Sequence, residues 1–354
     1  MQCCIHRLLK VSLISMKNHF VHIWSRLSGL GRGLVVLFTI LIILGIIAPN
    51  ISGPNKLIPF GPNQSVERAE YLSPWSSDST GRLHVIGTDR FGRDVLVRVL
   101  YGTRTALLVG IGVVLLSFLL AVVFGVLAGY VGNRSIRVNL FQLIILLIGS
   151  ITMLFYMRYG QLAVAVFILS ITVLLMFILR GLNLKQFYLP IDSIIMKIIE
   201  VIKTVPALFL VLSLFAIFSR ASIVSLIVIL GLISWPSKAR LLRAEILKVK
   251  NQDFMITTQV LGLSKWRTVV YHLLPNVISP LIIASCYTFT GAILVESTLS
   301  FLNVGLPQDI PSWGGIMRES RDYFKAWWLA LFPGLLLFLS ILTLNIVVDA
   351  LNDA

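Results

Sequence analysis

The chain has 354 residues, of which 57% are hydrophobic and 13% charged, and its mean hydropathy is +0.92. About a quarter of the residues are charged in a typical soluble domain, so this composition excludes an ordinary soluble protein. The formal net charge of +15 lies mostly in short segments beside apolar runs, which is the pattern that orients membrane helices and not a nucleic-acid-binding surface. The apolar runs are continuous, and lipid is crossed only by helices or closed barrels. The composition therefore predicts an all-α polytopic membrane protein.

The N-terminal part of the chain predicts one span and a long polar loop. Residues 1–33 carry basic side chains and no acid, which predicts a cytoplasmic N-terminal segment that starts at either Met1 or Met16. A first span is predicted at 34–49, and it is retained because no small-residue cleavage site follows it. Residues 50–104 are polar and rich in turn-forming residues, which predicts a periplasmic loop.

The next apolar segments predict a second span and an inserted hairpin. The span is expected at 105–131, where Gly125 and Gly129 have the spacing that allows helices to approach closely. Two further apolar runs fill most of residues 139–186, separated only by a short polar break. Such a break predicts a pair of helices that leaves and returns to the same side of the membrane.

A stripe of charged residues precedes the second half of the chain. Lys197, Glu200 and Lys203 recur every three residues, which places them on one face of a helix. We favour an interfacial helix end with snorkelling lysines over a role in transport.

The second half predicts four further spans, at 205–218, 223–236, 277–300 and 327–348. The densest basic cluster follows the second of these and predicts a cytoplasmic face: Lys238, Arg240, Arg243, Lys248 and Lys250. Three tryptophans suit an aromatic belt at the outer interface: Trp313, Trp327 and Trp328. The total is eight spans with both termini in the cytoplasm.

The chain lacks the common signatures of catalysis. It contains no phosphate-binding G-x-x-x-x-G-K-[ST] motif, no H-E-x-x-H motif and no recognisable nucleophile motif. The histidines are scattered, and Cys3, Cys4 and Cys286 are too few for a disulfide framework. Glu296 and Asp349 lie in or near apolar runs, whereas an ion-coupled carrier ordinarily has more intramembrane ionisable groups. We expect no enzyme and no metal site, which leaves a passive conduit, a structural subunit or a machine driven by a partner.

A polar stretch between two spans, "DFMITTQVLGLSKWRTVVYHLLPN" from Asp253, predicts a helix-turn-helix at the membrane surface. Asp253 can cap the first helix, Gly262 can end it in a left-handed conformation, and Ser264 can cap the second. Pro275 would separate the second helix from the next span. Large side chains could anchor this element in a partner's groove: Phe254, Trp266 and Tyr271. The alternative is an amphipathic loop that rests on lipid.

A second charged stretch, "GTDRFGRD", precedes the second span. Its spacing predicts a short helix with ion pairs Asp89–Arg93 and Arg90–Asp94, each worth about 0.2–0.5 kcal/mol. Gly92 inside a helix costs about 1 kcal/mol, so something must pack closely over it. The arginines beside the carboxylates make a metal site improbable.

Several stretches resemble one family. Gly262 lies thirteen residues before Pro275, and this spacing resembles the EAA loop of ABC importer permeases. "HVIGTDRFGRDVLVRVLYGTRTALLVG", "SWPSKARLLRAEIL", "GAILVESTLSFLNVGL" and "PSWGGIMRESRDY" are similar to the C-type permease subunit of dipeptide, oligopeptide and nickel importers. The resemblance covers about 20–132 and 190–354.

The resemblance implies a six-helix type I permease core, here with the extra hairpin, and a role in ATP-driven import of peptides or similar small solutes. It implies that the chain lies in the bacterial inner membrane. It also implies three kinds of partner: a homologous second permease, two ATP-binding subunits and an extracytoplasmic binding protein. ATP and magnesium would be bound by the ATPase partners and not by this chain. The alternatives are a self-contained ion-coupled carrier or channel and a membrane scaffold.

The resemblance also implies site residues. The ATPase-coupling helix would use Asp253, Phe254, Thr257, Thr258, Gly262, Lys265, Trp266, Arg267 and Pro275. The periplasmic gate and binding-protein contact would use Asp89, Arg90, Gly92, Arg93 and Asp94, and Glu296 looks like the family's intramembrane carboxylate. For Glu296 we favour bonds to the local backbone or to the hydroxyl groups of Ser297 and Thr298 over a contact with substrate. The family's loop carries an acidic residue where this chain has Ile256, and residues 139–186 have no counterpart in the six-span pattern.

Overall fold

The computed structural model describes residues 28–53, 56–133, 137–139, 162–180, 186–217 and 222–352, with isolated positions between 145 and 156. Over these residues the protein is helical, and the strands described are two short antiparallel pairs. The prediction of an all-α membrane protein is confirmed. The strands are β1 (Ser76–Ser77) with β2 (Leu83–His84), and β3 (Arg137–Asn139) with β4 (Gln186–Tyr188).

The described helices are numbered in chain order. They are α1 (Gly29–Ile51), α2 (Val95–Val126, continued by the π-helical Leu127–Val131), α3 (Leu162–Arg180), α4 (Ile191–Thr204), α5 (Ala207–Ile217), α6 (Ile223–Val249), α7 (Asp253–Val260), α8 (Lys265–Arg267, continued by the π-helical Thr268–Leu273 and by Leu274–Val277), α9 (Ser279–Phe301), α10 (Trp313–Glu319) and α11 (Trp328–Asn352). Among them α1, α2, α6, α9 and α11 are long and apolar enough to cross a membrane, and the bent pair α4–α5 is a sixth candidate span. Eight spans are not confirmed.

Helix α2 begins ten residues earlier than the predicted span. The side chain of Asp94 accepts a hydrogen bond from the backbone N–H of Val97 (3.0 Å), which caps the helix at its first turn. Residues 95–104, assigned to the loop from their polarity, therefore belong to α2. Helix α1 packs on this first part of α2, and a Cβ at Gly45 would lie 2.8 Å from the Thr103 side chain.

The pair α2–α6 forms the centre of the bundle. A Cβ at Gly125 would lie 3.0 Å from the Leu242 side chain, and a Cβ at Gly129 would lie 2.9 Å from Ile246. The predicted close helix contact at these two glycines is therefore present. Helix α6 continues through Pro236, well beyond the predicted end of the span.

The basic side chains on α6 do not share one exposed surface. Lys238 is buried in the bundle, so its assignment to a cytoplasmic basic surface is wrong. Arg243 forms a two-point ion pair with Asp192 of α4, at 2.5 and 2.6 Å. The Lys250 ammonium donates to the backbone carbonyl of Tyr130 at the end of α2 (2.9 Å). These contacts tie α6 to its neighbours.

Helices α4 and α5 meet at an angle of 88°. Pro206 lies between them, and the residue before a proline avoids the helical region. The charged stripe of α4 is exposed while Ile195 and Ile199 on the opposite face are buried. The predicted helical stripe is therefore present.

The predicted insertion is described only in part. Strands β3 and β4 bring its two ends together, and its second apolar run is helix α3. The side chains described on α3 are mostly exposed, although Thr172 packs on Gly149. Most of the first run and the polar break lie outside the described residues.

Two tryptophans of the predicted aromatic belt are instead buried. The indole of Trp313 donates to the Val99 carbonyl (3.1 Å), and that of Trp328 donates to the Thr88 carbonyl (3.0 Å). Buried indoles usually find such a partner. Trp327, about half exposed, keeps the predicted accessible position.

Candidate functional site

The 253–277 loop folds as a helix-turn-helix. Gly262 has a φ of +66°, and the N–H of Leu263 bonds to the carbonyl of Thr258 (3.1 Å), so the predicted left-handed end of α7 is confirmed. The hydroxyl of Ser264 accepts from the N–H of Arg267 (3.4 Å), which is the predicted cap of α8.

Two details of the predicted loop differ from the structure. Asp253 is the first helical residue, and the carbonyl of Gln252 accepts the first helical bond, from the N–H of Ile256 (3.2 Å). Asp253 is therefore not the cap. Pro275 lies inside the helical segment, which continues to Val277. A proline is tolerated there because it lies at the second residue of a new helical turn.

The loop has one buried face and one exposed face. Met255 is fully buried and Val269 and Leu273 pack with it against the α6 residues Leu242 and Ile246. Thr258, one of the predicted coupling residues, also faces inward and donates to the Met255 carbonyl, so it lies outside the exposed face. The opposite face, called here the loop surface, exposes large apolar side chains. Its members are Phe254, Ile256, Val260, Leu261, Trp266 and Tyr271.

The loop surface is unusual in its exposure. Trp266 is 75% exposed and Val260 is 82% exposed. The basic residues Lys265 and Arg267 are exposed beside them. Contiguous exposed apolar side chains with a polar rim mark interaction sites. The predicted anchors Phe254, Trp266 and Tyr271 are thus all on the accessible side.

The 87–94 segment is a turn and not a helix. One carboxylate oxygen of Asp89 accepts from the N–H groups of Phe91 and Arg93, both at 2.9 Å, and this closes the turn. Gly92 has a φ of +68°, and a Cβ there would lie 2.4 Å from the Val66 carbonyl oxygen. The predicted close packing over Gly92 is confirmed, although its cause is a turn.

Asp89 and Arg93 of this turn form a network with Arg98 of α2 and Glu319 of α10, and we call these four residues the charge cluster. The Asp89 carboxylate lies 2.6 Å from Nε of Arg93 and 3.5 Å from Nε of Arg98. Nη2 of Arg93 donates to Glu319 of α10 at 3.1 Å. The cluster therefore joins the turn, the start of α2 and α10.

One predicted ion pair of this segment is wrong. Arg90 faces Asp322 at 3.5 Å and donates to the side chain of Gln308 (2.8 Å). Asp94, its predicted partner, caps α2 and accepts from Nδ1 of His84 at 2.7 Å. The helix that would have brought Arg90 and Asp94 together does not form.

Sequence reasoning missed Arg98 and Glu319. Arg98 bonds to the Pro62 carbonyl, the Asn63 side chain (both 3.1 Å) and the Gln308 carbonyl (3.2 Å). A lone arginine in the apolar run "VLVRVL" was the available signal. Burial raises the pKa of the Glu319 carboxyl, and the Asp89 carboxylate adds to the rise, while Arg93 and Arg98 oppose it.

Glu296 is a buried carboxylate in the α9 helix. It accepts from the hydroxyls of Ser300 (2.9 Å) and Ser297 (3.2 Å). The predicted bond to Ser297 is present, but the Thr298 hydroxyl donates to the Leu294 carbonyl. A Cβ at Gly314 would lie 2.0 Å from the Ser297 carbonyl oxygen, so α10 closes over this site.

Comparison with known proteins places these features in a family. Residues 186–354 match the binding-protein-dependent transport system inner membrane component family. A putative peptide transport system permease protein of Brucella suis is 28% identical over 90% of this chain and 84% of its own length. Residues 186–354 thus carry the membrane domain of an ABC importer permease, and the relatives extend this similarity over most of the chain.

Two further relatives cover nearly the whole permease. A di/tripeptide transport system permease protein of Pseudomonas aeruginosa is 26% identical over 95% of this chain and 88% of its own length. A dipeptide transport system permease protein of Bacillus subtilis is 28% identical over 94% and 83%. The permease is thus a multi-pass membrane component, it is not an enzyme, and an ATPase and a substrate-binding protein are the general partners of its kind.

Proposed function

We propose that this permease moves peptides or similar small solutes into the cell by alternating access, driven by partner ATPases that dock on the loop surface. The relatives named above are peptide, di/tripeptide and dipeptide permeases. The observation that carries the proposal is the loop surface, where aromatic and aliphatic side chains are exposed next to basic ones.

The loop links its exposed surface to the helices of the bundle. Its exposed face carries Trp266, while its buried face packs on α6. Helix α6 is in turn tied to α4 by the Arg243–Asp192 ion pair. A rotation of the docked loop would therefore move these helices together. Two states of the permease must lie within a few kcal/mol of each other for nucleotide to bias them.

Ile256 would make part of the docking contact apolar. By its resemblance to the EAA loop it occupies the position of an acidic residue, and about half of its surface is exposed. An apolar side chain there favours an apolar contact on the ATPase, since an unpaired charge buried against isoleucine is unfavourable. The basic residues Lys265 and Arg267 would supply the electrostatic part of the contact, and Asp253, Thr257 and Pro275 would complete it.

The charge cluster would lie at the end of the permease opposite to the loop surface. There it would hold the periplasmic loop in place, a role that we call a latch. Gly92, Asp94 and the ion pair Asp89–Arg93 are buried, so their proposed role is to hold the turn against α10. Arg90 is partly exposed and would supply the contact with a binding protein. The latch would fix the periplasmic loop while the helices beneath it move.

The orientation and the assembly follow from the position of ATP in the cell. The loop surface would face the cytoplasm, and both termini would lie there too. A homologous second permease would complete the pathway in the bacterial inner membrane, and two ATPases would bind the nucleotide and magnesium, with no cofactor on this chain.

Reconstitution tests the proposal. The permease, expressed with its partners, is expected to co-purify with an ATPase and to give ATP-dependent uptake of labelled dialanine into proteoliposomes. Solute flux through the isolated chain without ATP would instead favour a self-contained channel or carrier and would overturn the proposal.

A further inference from the structure

A cavity of about 530 Å³ lies between helices α5, α6 and α9. This volume is within the range of small-molecule sites, about 300–1,000 Å³. Apolar residues such as Val211, Leu230 and Val295 form most of its wall, and hydroxyl-bearing residues and Lys238 contribute its polar groups. The cavity lies away from both the loop surface and the charge cluster.

Lys238 is the charged residue among the described residues that line this cavity. The residue is 2% exposed, and its Nζ donates to the hydroxyl oxygens of Ser117 (2.5 Å) and Thr288 (3.0 Å). No carboxylate of the described chain lies within ion-pair distance of it. A buried ammonium without a carboxylate is unfavourable for stability, and intramembrane charges mark solute pathways.

The hydroxyl oxygens of both partners accept hydrogen bonds from the Lys238 ammonium. The Ser117 hydroxyl donates its own proton to the Val113 carbonyl (2.5 Å), and the Thr288 hydroxyl donates to the Ala284 carbonyl (2.9 Å). Because each proton is already used, each oxygen presents lone pairs to the ammonium. An ammonium has three N–H donors, and the described residues supply acceptors for two of them. The third donor is therefore the one that we assign to a ligand.

We infer that Lys238 binds a carboxylate of the solute as it passes through this cavity. The inference rests on the proposed function and names the chemical class of its substrate: solutes with a free carboxylate, such as peptides, and not bare divalent cations, which a fixed positive charge repels. The carboxylate completes the donor set of Lys238 and neutralises a charge that the described chain leaves without a counter-ion.

Binding of two matched probes to the full-length chain in lipid nanodiscs tests this. N-acetyl-dialanine and its C-terminal amide differ only in the carboxylate. The wild-type chain is expected to bind the acid roughly tenfold more tightly or better, the ratio that a charge-assisted hydrogen bond gives. Lys238→Met removes this preference, whereas Lys238→Arg retains it. Lys248→Met is the matched control, because it removes the same charge from an exposed position of the same helix.

Three outcomes overturn the inference. The first is equal binding of acid and amide, or binding of neither, by the wild-type chain. The second is a preference that persists in Lys238→Met, or in Lys238→Gln if the methionine variant does not fold. The third is loss of the preference when the second permease is present, which would show that a partner carboxylate occupies the site. None of these depends on ATP-driven uptake, whose absence would overturn the proposed function separately.

Discussion

The Asp89 carboxylate lies 2.6 Å from Nε of Arg93 and also accepts the two backbone bonds that close the turn before α2. One side chain therefore sets both the backbone shape and the position of the arginine. Through Arg93 the turn reaches Glu319, 226 residues further along the chain. The charge cluster is thus a tertiary link, and Asp89 is its centre.

Removing the charge of Asp89 is expected to destabilise the permease. Asp89→Asn leaves Arg93 and Arg98 without their shared carboxylate, and breaking a buried pair of this kind costs about 3–5 kcal/mol. Asp322→Asn is the control, because Asp322 is exposed in its contact with Arg90 and exposed pairs are worth about 1 kcal/mol or less. Thermal unfolding in detergent measures both, and equal losses would contradict a central role for Asp89.

Glu319 is expected to make stability depend on pH. Its folded-state pKa is raised, chiefly by burial, above an unfolded value of about 4.3. The carboxyl therefore contributes stability that is full below the unfolded pKa and is lost as the pH rises through the folded pKa. Relative to Glu319→Gln, which does not titrate, the wild type should be most stable near pH 4 and should lose that advantage towards neutral pH. A difference that grows with rising pH would contradict this.

The exposed tryptophan of the loop surface is expected to matter for assembly and not for folding. Trp266→Ala should weaken co-purification with the ATPase, since buried aromatic anchors at interfaces contribute about 2 kcal/mol or more. The free chain should keep its unfolding temperature, because Trp266 is 75% exposed. Trp327→Ala, also exposed but outside the loop, serves as the control. Undiminished ATPase capture by Trp266→Ala would exclude the loop surface as the docking site.

Local signals in the sequence predicted much of the fold. Apolar runs marked the main spans because lipid imposes a length and composition on them. The spacing of Gly125 and Gly129 predicted a helix contact, and Gly262 predicted a left-handed turn, since both depend on the absence of a side chain.

Features set by distant partners could not be read in this way. The sequence around Asp89 resembled a helix because its charged residues have helical spacing. The backbone forms a turn instead, because Gly92 has a positive φ and packs closely on the Val66 carbonyl. Trp313 looked like a belt residue until α10 placed it against α2. Lys238 looked like part of a basic cytoplasmic cluster, because its burial depends on α2 and α9.

The most direct test of the account is the coupling ratio of the Gly262→Pro variant in the assembled transporter. Proline fixes φ near −65°, which is incompatible with the φ of +66° at this position, so the turn between α7 and α8 must rearrange. The space around Gly262 is open, and the variant should therefore still insert. Solute transported and ATP hydrolysed are measured together in proteoliposomes. The account predicts continued hydrolysis with at least a tenfold loss of uptake, whereas an unchanged ratio would show that the loop does not transmit the motion.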